Sequence, residues 1–118
     1  MISKEFAWDF ARDWVASWNA HDLKLILSHY GDDFEMNSPI IVQRMGKADG
    51  RLVGKAAVGE YWKAALIAYP DLAFELKNVF FGPRCVTIFY QRVSGGLVTE
   101  TFVFGDDLHV KQAFANYE

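Results

Sequence analysis

Phe6, Phe10, Trp14 and Trp18 recur every four residues, with Ala7, Ala11 and Val15 beside them and Glu5, Asp9, Arg12 and Asp13 on the other face. That spacing predicts an amphipathic helix over residues 6–19. Four large rings on one face need a wide surface to cover, and a curved sheet supplies one. Asn19-Ala20-His21-Asp22 breaks the helix, and Asp22 is placed to cap a second one over residues 23–30. Gly31 stands where a left-handed C-terminal residue is expected, with Asp32 and Asp33 on the following turn.

Residues 34–41 alternate as a strand, with Phe34, Met36 and Ser38 on one face and Glu35, Asn37 and Pro39 on the other. Pro39 limits pairing and suggests an edge or a bend. Residues 43–54 carry three glycines and several charges, which reads as a loop placed to act as a flap over a pocket. A third helix opens at Gly54-Lys55-Ala56 and stops before Pro70, with Val58, Trp62, Ala65, Leu66 and Tyr69 apolar. Strands follow over residues 72–81, 84–93, 97–104 and 108–117, broken at Gly82-Pro83, Ser94-Gly95-Gly96 and Gly105-Asp106-Asp107. Strands gathered after helices predict an α+β fold, with the helices on one face of the sheet.

At 118 residues the chain is expected to form a single domain over residues 1–118; a domain of this size buries roughly two-thirds of its unfolded surface. Aromatics make up 16% of it, more than a small core needs, so a pocket or an interface is expected to take the surplus. A net charge of −3 without a basic run argues against nucleic acid as a partner. Cys85 is the only cysteine, which excludes an intrachain disulfide. No stretch approaches the roughly 20 apolar residues of a membrane span, and acidic residues interrupt the N-terminus before any signal-like run. The expectation is a soluble, cytoplasmic protein that is not bound to a membrane.

These segments together resemble the SnoaL-like branch of the NTF2-like superfamily. The resemblance rests on Trp14-x-x-x-Trp18-Asn19-x-His21-Asp22-Leu23, Tyr30-Gly31-Asp32-Asp33-Phe34, Gly54-Lys55-Ala56-Ala57-Val58 and Glu100-Thr101-Phe102-Val103-Phe104. It implies a cone: three helices, and a curved mixed or antiparallel sheet wrapped around the long N-terminal helix, with a deep apolar pocket at the open end. The family holds cyclases, isomerases, hydrolases, dehydratases and non-catalytic binding domains, so fold does not decide function.

Strand parity nominates the pocket wall. Val98, Glu100, Phe102 and Phe104 share one face, and Ala113, Ala115 and Tyr117 join them from the last strand. A two-residue turn at Ser94-Gly95-Gly96 would add Thr87, Phe89 and Gln91; a three-residue loop would choose Ile88, Tyr90 and Arg92, because a one-residue slip flips the face. The first parity is the one expected here. Trp14, Trp18, Tyr30, Met36, Trp62 and Leu66 would close the cavity from the helix side. Glu100 stands where the pattern asks for an apolar residue, so desolvation should raise its pKa and fit it for acid/base work near neutral pH.

The likeness to steroid isomerases implies a base at Ser38, a donor tyrosine at Trp14, a neutral acid at Glu100 and a supporting tyrosine at Tyr30. Serine cannot serve as that base and an indole N–H is the weaker donor, so steroid isomerisation is not the leading reading. No histidine is expected beside Ser38 to make it a nucleophile. What remains is a pocket for a small apolar or aromatic molecule. It would either perform cofactor-free proton-transfer chemistry, with Glu100 as the acid/base, Tyr30 and Gln91 as hydrogen-bonding helpers and Ser38 in the wall, or bind without catalysis as a module. Thr99, Thr101, Val103, Gln112, Phe114 and Asn116 leave the outer sheet face apolar enough to predict a homodimer, with Tyr90 and Arg92 beside them under the chosen parity.

Overall fold

A computed structural model describes residues 1–118. Helix α1 spans Lys4–Asn19, α2 Leu23–Leu27, α3 Pro39–Met45 and α4 Lys55–Ala68. The strands are β1 Tyr30–Asn37, β2 Arg51–Val53, β3 Phe74–Phe81, β4 Cys85–Arg92, β5 Leu97–Phe104 and β6 Val110–Tyr117. They form one sheet in the order β2-β1-β6-β5-β4-β3. All neighbours pair antiparallel except β1 with β6, which run parallel. The fold is thus α+β with a mixed, curved, open sheet. No helix is long and apolar enough to cross a membrane.

The aromatic stripe of α1 fills the concave side. Phe10 packs edge-on against Phe102 and Phe104, each at 5.0 Å between ring centres. Trp14 meets Phe102 at 5.4 Å and Tyr90 at 5.3 Å, and Trp18 meets Trp62 of α4 at 5.2 Å. The turn after α1 is also tied to the sheet. Asn19 brackets the start of β3, accepting from the Phe74 N–H at 2.7 Å and donating to its carbonyl at 3.0 Å. His21 sits in the left-handed region with φ 55°, its ring Nε2 2.7 Å from the Leu72 carbonyl oxygen. Asp22 caps α2 through the Leu25 N–H at 3.1 Å.

Four helices stand where three are expected. The additional one, α3, begins at the Pro39 assigned to a strand edge: Ser38 is its N-cap, accepting from the Ile40 N–H at 3.1 Å, and proline takes the first turn. Proline suits that position because its fixed φ is helical and its missing N–H would have no partner there. Gly46 ends α3 at φ 67°, and β2 then pairs with β1, so the expected 43–54 flap is helix, turn and strand. The second helix is shorter than expected. Tyr30 belongs to β1, not to α2; Gly31, Asp32 and Asp33 follow it in the strand, within the irregular register between Tyr30 and Glu35.

The expected parity of β4 is reversed. The Arg92 N–H bonds to the Gly96 carbonyl at 2.8 Å, closing a three-residue loop. Val86, Ile88 and Tyr90 are buried, while Thr87, Phe89 and Gln91 turn outward. Packing decides this: the first set is the more apolar, and a one-residue slip would have sent it to solvent.

Candidate functional site

A cavity of about 620 Å³ opens between the C-terminal half of α4, α3, the start of β3 and the β4–β5 hairpin. Trp14 and Trp18 of α1, Met36 of β1, Trp62 of α4 and Tyr117 of β6 line it, as does Ser38. These six were nominated from the sequence, together with Glu100, which also lines the cavity. The others lie elsewhere. Phe89 and Gln91 are on the outer face through the reversed parity. Phe102, Ala113 and Ala115 are buried in the packed core, where Phe102 is covered by Phe10 and Trp14. Leu66 is half-buried against that core and does not reach the cavity. Tyr30 is fully buried behind the wall, its hydroxyl accepting the Trp14 indole N–H at 2.9 Å.

Glu100 is 4% exposed. It stands opposite Ile88 and Ala115 in the sheet, and the Tyr90 hydroxyl donates to its Oε1 at 3.2 Å. Burial pushes the carboxyl up from 4.5 to about 8, with the Tyr90 bond pulling the other way. Most of the population is therefore the neutral acid at pH 7. Burial first, and then the nearby Glu100 carboxyl, raises Tyr30 and Tyr90 well above the usual phenol range. Burial likewise raises Tyr61, on the α4 side of the cavity, to about 12. Both tyrosines bracketing the acid thus stay as neutral phenols.

Ser38 does not resemble a nucleophile. Its hydroxyl caps α3, and the histidines are engaged elsewhere: His21 at Leu72, His29 edge-on to Phe10, and His109 beside Asp107. The backbone instead commits Ser38 to holding the mouth of the cavity, its N–H bonded to the Gly50 carbonyl at 2.9 Å.

Several polar residues of the wall lie outside the set expected from sequence, Tyr90, Arg92 and Arg44 among them. Tyr90 and Arg92 were set outside by the parity choice, and Arg44 lay in the presumed loop; all three line the cavity. The signal was available for the first two, since Val86, Ile88 and Tyr90 form a better buried set than Thr87, Phe89 and Gln91. Arg92 also lies across Gly96, in the space a side chain there would occupy.

A profile described as a SnoaL-like domain matches residues 11–111. Among solved structures, a SnoaL-like protein of unknown function from Burkholderia thailandensis is 50% identical, with 99% of this chain and 98% of that one covered and a TM-score of 0.97. A cystatin-like-fold protein of unknown function from Methylobium petroleophilum is 13% identical over 98% of this chain and 78% of that one, at a TM-score of 0.77. TerC, co-crystallised with polyporic acid, is 16% identical over 95% of this chain and 91% of that one, at a TM-score of 0.75. No curated protein matches the sequence.

Proposed function

The chain belongs to the SnoaL-like family, and we propose on that premise that its cavity binds a small hydrophobic or aromatic molecule and moves a proton on it without a cofactor. Glu100 is the acid/base. The observation that carries this is the one buried carboxyl of a mostly apolar wall, held near neutral pKa by that burial. A neutral carboxyl can donate to a ligand carbonyl or to a departing hydroxyl. The carboxylate left behind then takes a proton back from the ligand, so the acid returns to its starting state. Isomerisation, cyclisation and dehydration all fit that exchange.

Supporting groups follow from the geometry. Tyr90 holds the carboxyl in one orientation through its bond to Oε1. Tyr30 is a positioning residue, since it fixes the Trp14 ring from behind. Trp14, Trp18 and Trp62 give the ligand flat apolar surface. TerC, which shares the fold, is a precedent for a small organic molecule accompanying it.

The test is proton exchange. Small aromatic ketones that bind the protein would be incubated with it in heavy water, and deuterium uptake beside the carbonyl followed by NMR. Glu100→Gln should slow uptake by about 100-fold or more while leaving binding within a few-fold. Unchanged uptake in the variant would overturn the role of Glu100.

A second reading, non-catalytic binding, draws on Ser38. Where the likeness to isomerases implies a base, this chain has a hydroxyl already engaged as a helix cap. Ligand-dependent tryptophan quenching without any conversion would favour it. Under either reading we propose a homodimer through the outer sheet face. Thr87, Phe89, Thr101, Val103 and Phe114 lie there, with Phe114 37% exposed.

A further inference from the structure

We propose that the ligand of this cavity is an organic anion, an aromatic or alicyclic body bearing one carboxylate, held at the mouth by Arg44 and Arg92. This names the substrate class of the site described above and rests on that site binding a small molecule. The two arginines come from different elements, α3 and the end of β4, and both line the cavity. Neither forms an ion pair; the arginines that do are Arg12 with Asp9 and Arg51 with Glu35, away from the cavity.

Each guanidinium is held by a ring instead of a carboxylate. Arg44 lies over Tyr69 at 5.3 Å and Arg92 over Tyr117 at 5.1 Å. Such stacking uses the flat face of the guanidinium and leaves its N–H edge for a carboxylate fork. Arg92 is the more constrained of the two. It lies against Gly96, and its Nε is buried with no acceptor. A partly desolvated cation without a counter-charge is costly, and an anion arriving with the ligand relieves it.

The remaining charge sets the valence. Asp71 also lines the mouth but pairs with neither arginine. Two cations and one exposed carboxylate leave about one unit of positive charge, which suits a monoanion rather than a phosphate ester. Deeper in, Trp14, Trp18, Trp62 and Phe74 offer the apolar body its surface. The chain as a whole carries −3, so attraction for an anion must be local to this mouth.

The experiment compares 2-naphthoic acid with its methyl ester by titration calorimetry on the full chain near neutral pH. The acid should bind about tenfold or more tightly than the ester, and the preference should shrink as salt rises. Arg44→Gln and Arg92→Gln should each reduce the preference while leaving ester affinity within a few-fold. Arg92→Lys keeps the charge and should retain part of it. Arg44 is exposed, so its variant stays informative if Arg92→Gln fails to fold by circular dichroism. Equal binding of acid and ester, or a preference untouched in both Gln variants, overturns the anion and leaves the apolar site standing. Binding of neither probe overturns both.

Discussion

The Tyr90 hydroxyl donates to Glu100 Oε1 at 3.2 Å across the β4–β5 pairing. The two residues are diagonal neighbours: Tyr90 stands opposite Val98 and Glu100 opposite Ile88. Diagonal pairs on one sheet face are within reach of a long side chain. The bond exists only because β4 takes the parity that turns Tyr90 inward.

Glu100 makes stability depend on pH. Its folded pKa is raised, from 4.5 to about 8, so between those values the folded state holds a proton that the unfolded state has lost. Stability therefore falls as pH rises through that window, by up to about 1.4 kcal/mol per pH unit for the one proton, and levels off above it. Urea unfolding at several pH values should show this fall, and Glu100→Gln should remove it.

Tyr90→Phe should move the acid further in the same direction. The Tyr90 bond lowers the Glu100 pKa, so deleting it should carry the midpoint above its present value of about 8. Carbon NMR of labelled glutamate reads that midpoint directly. The variant should also lose about 1–3 kcal/mol of stability, because a buried carboxyl oxygen loses its partner.

Asn19→Ala should loosen the start of β3. Two hydrogen bonds from this one side chain hold the Phe74 backbone, and Leu72 to Phe74 form part of the cavity wall. A loss of about 1–2 kcal/mol is expected, with faster amide exchange at Phe74 by NMR. Unchanged exchange there would show that the wall is fixed by packing alone.

Gly96→Ala should act on Arg92. The new methyl would fall where the guanidinium now lies, and a flexible side-chain end can move aside at little cost. Stability should change by no more than about 0.5 kcal/mol, while preference for 2-naphthoic acid over its ester should weaken. Calorimetry on the variant checks both halves of the statement.

Phe114→Glu should separate the proposed dimer. Phe114 is 37% exposed on the outer face, and a carboxylate there would be buried against the partner copy at high cost. Light scattering at micromolar concentration should give a dimeric mass for the native chain and a monomeric one for the variant.

Much of the fold was legible locally. The four-residue spacing of Phe6, Phe10, Trp14 and Trp18 marks α1 because a helix brings that spacing onto one face. Asp22 marks the start of α2 through its side-chain oxygen. The alternation from Phe34 runs through Ser38-Pro39 and masks the helix that starts there, so the sequence reads as strand and loop where α3 stands. Tyr30 differs from expectation for a related reason. Leu23, Ile26, Leu27 and Tyr30 keep helical spacing even though the helix ends at Leu27, and pairing with β6 recruits Tyr30 into the sheet.

The sequence by itself determined the class of fold, the stripe that α1 lays against the sheet and the acid at Glu100 in an otherwise apolar alternation. Those features are periodic, and periodicity survives in a one-dimensional string. Tertiary structure alone decided which face of β4 meets the cavity, and with it whether Tyr90 and Arg92 belong to the site. One residue more or less in the hairpin loop reverses that face, and only simultaneous packing against α1 and pairing with β5 can select between the two. The same packing brings Arg44, Arg92 and Glu100 around one cavity from three separate elements, a convergence that no local pattern in the chain encodes.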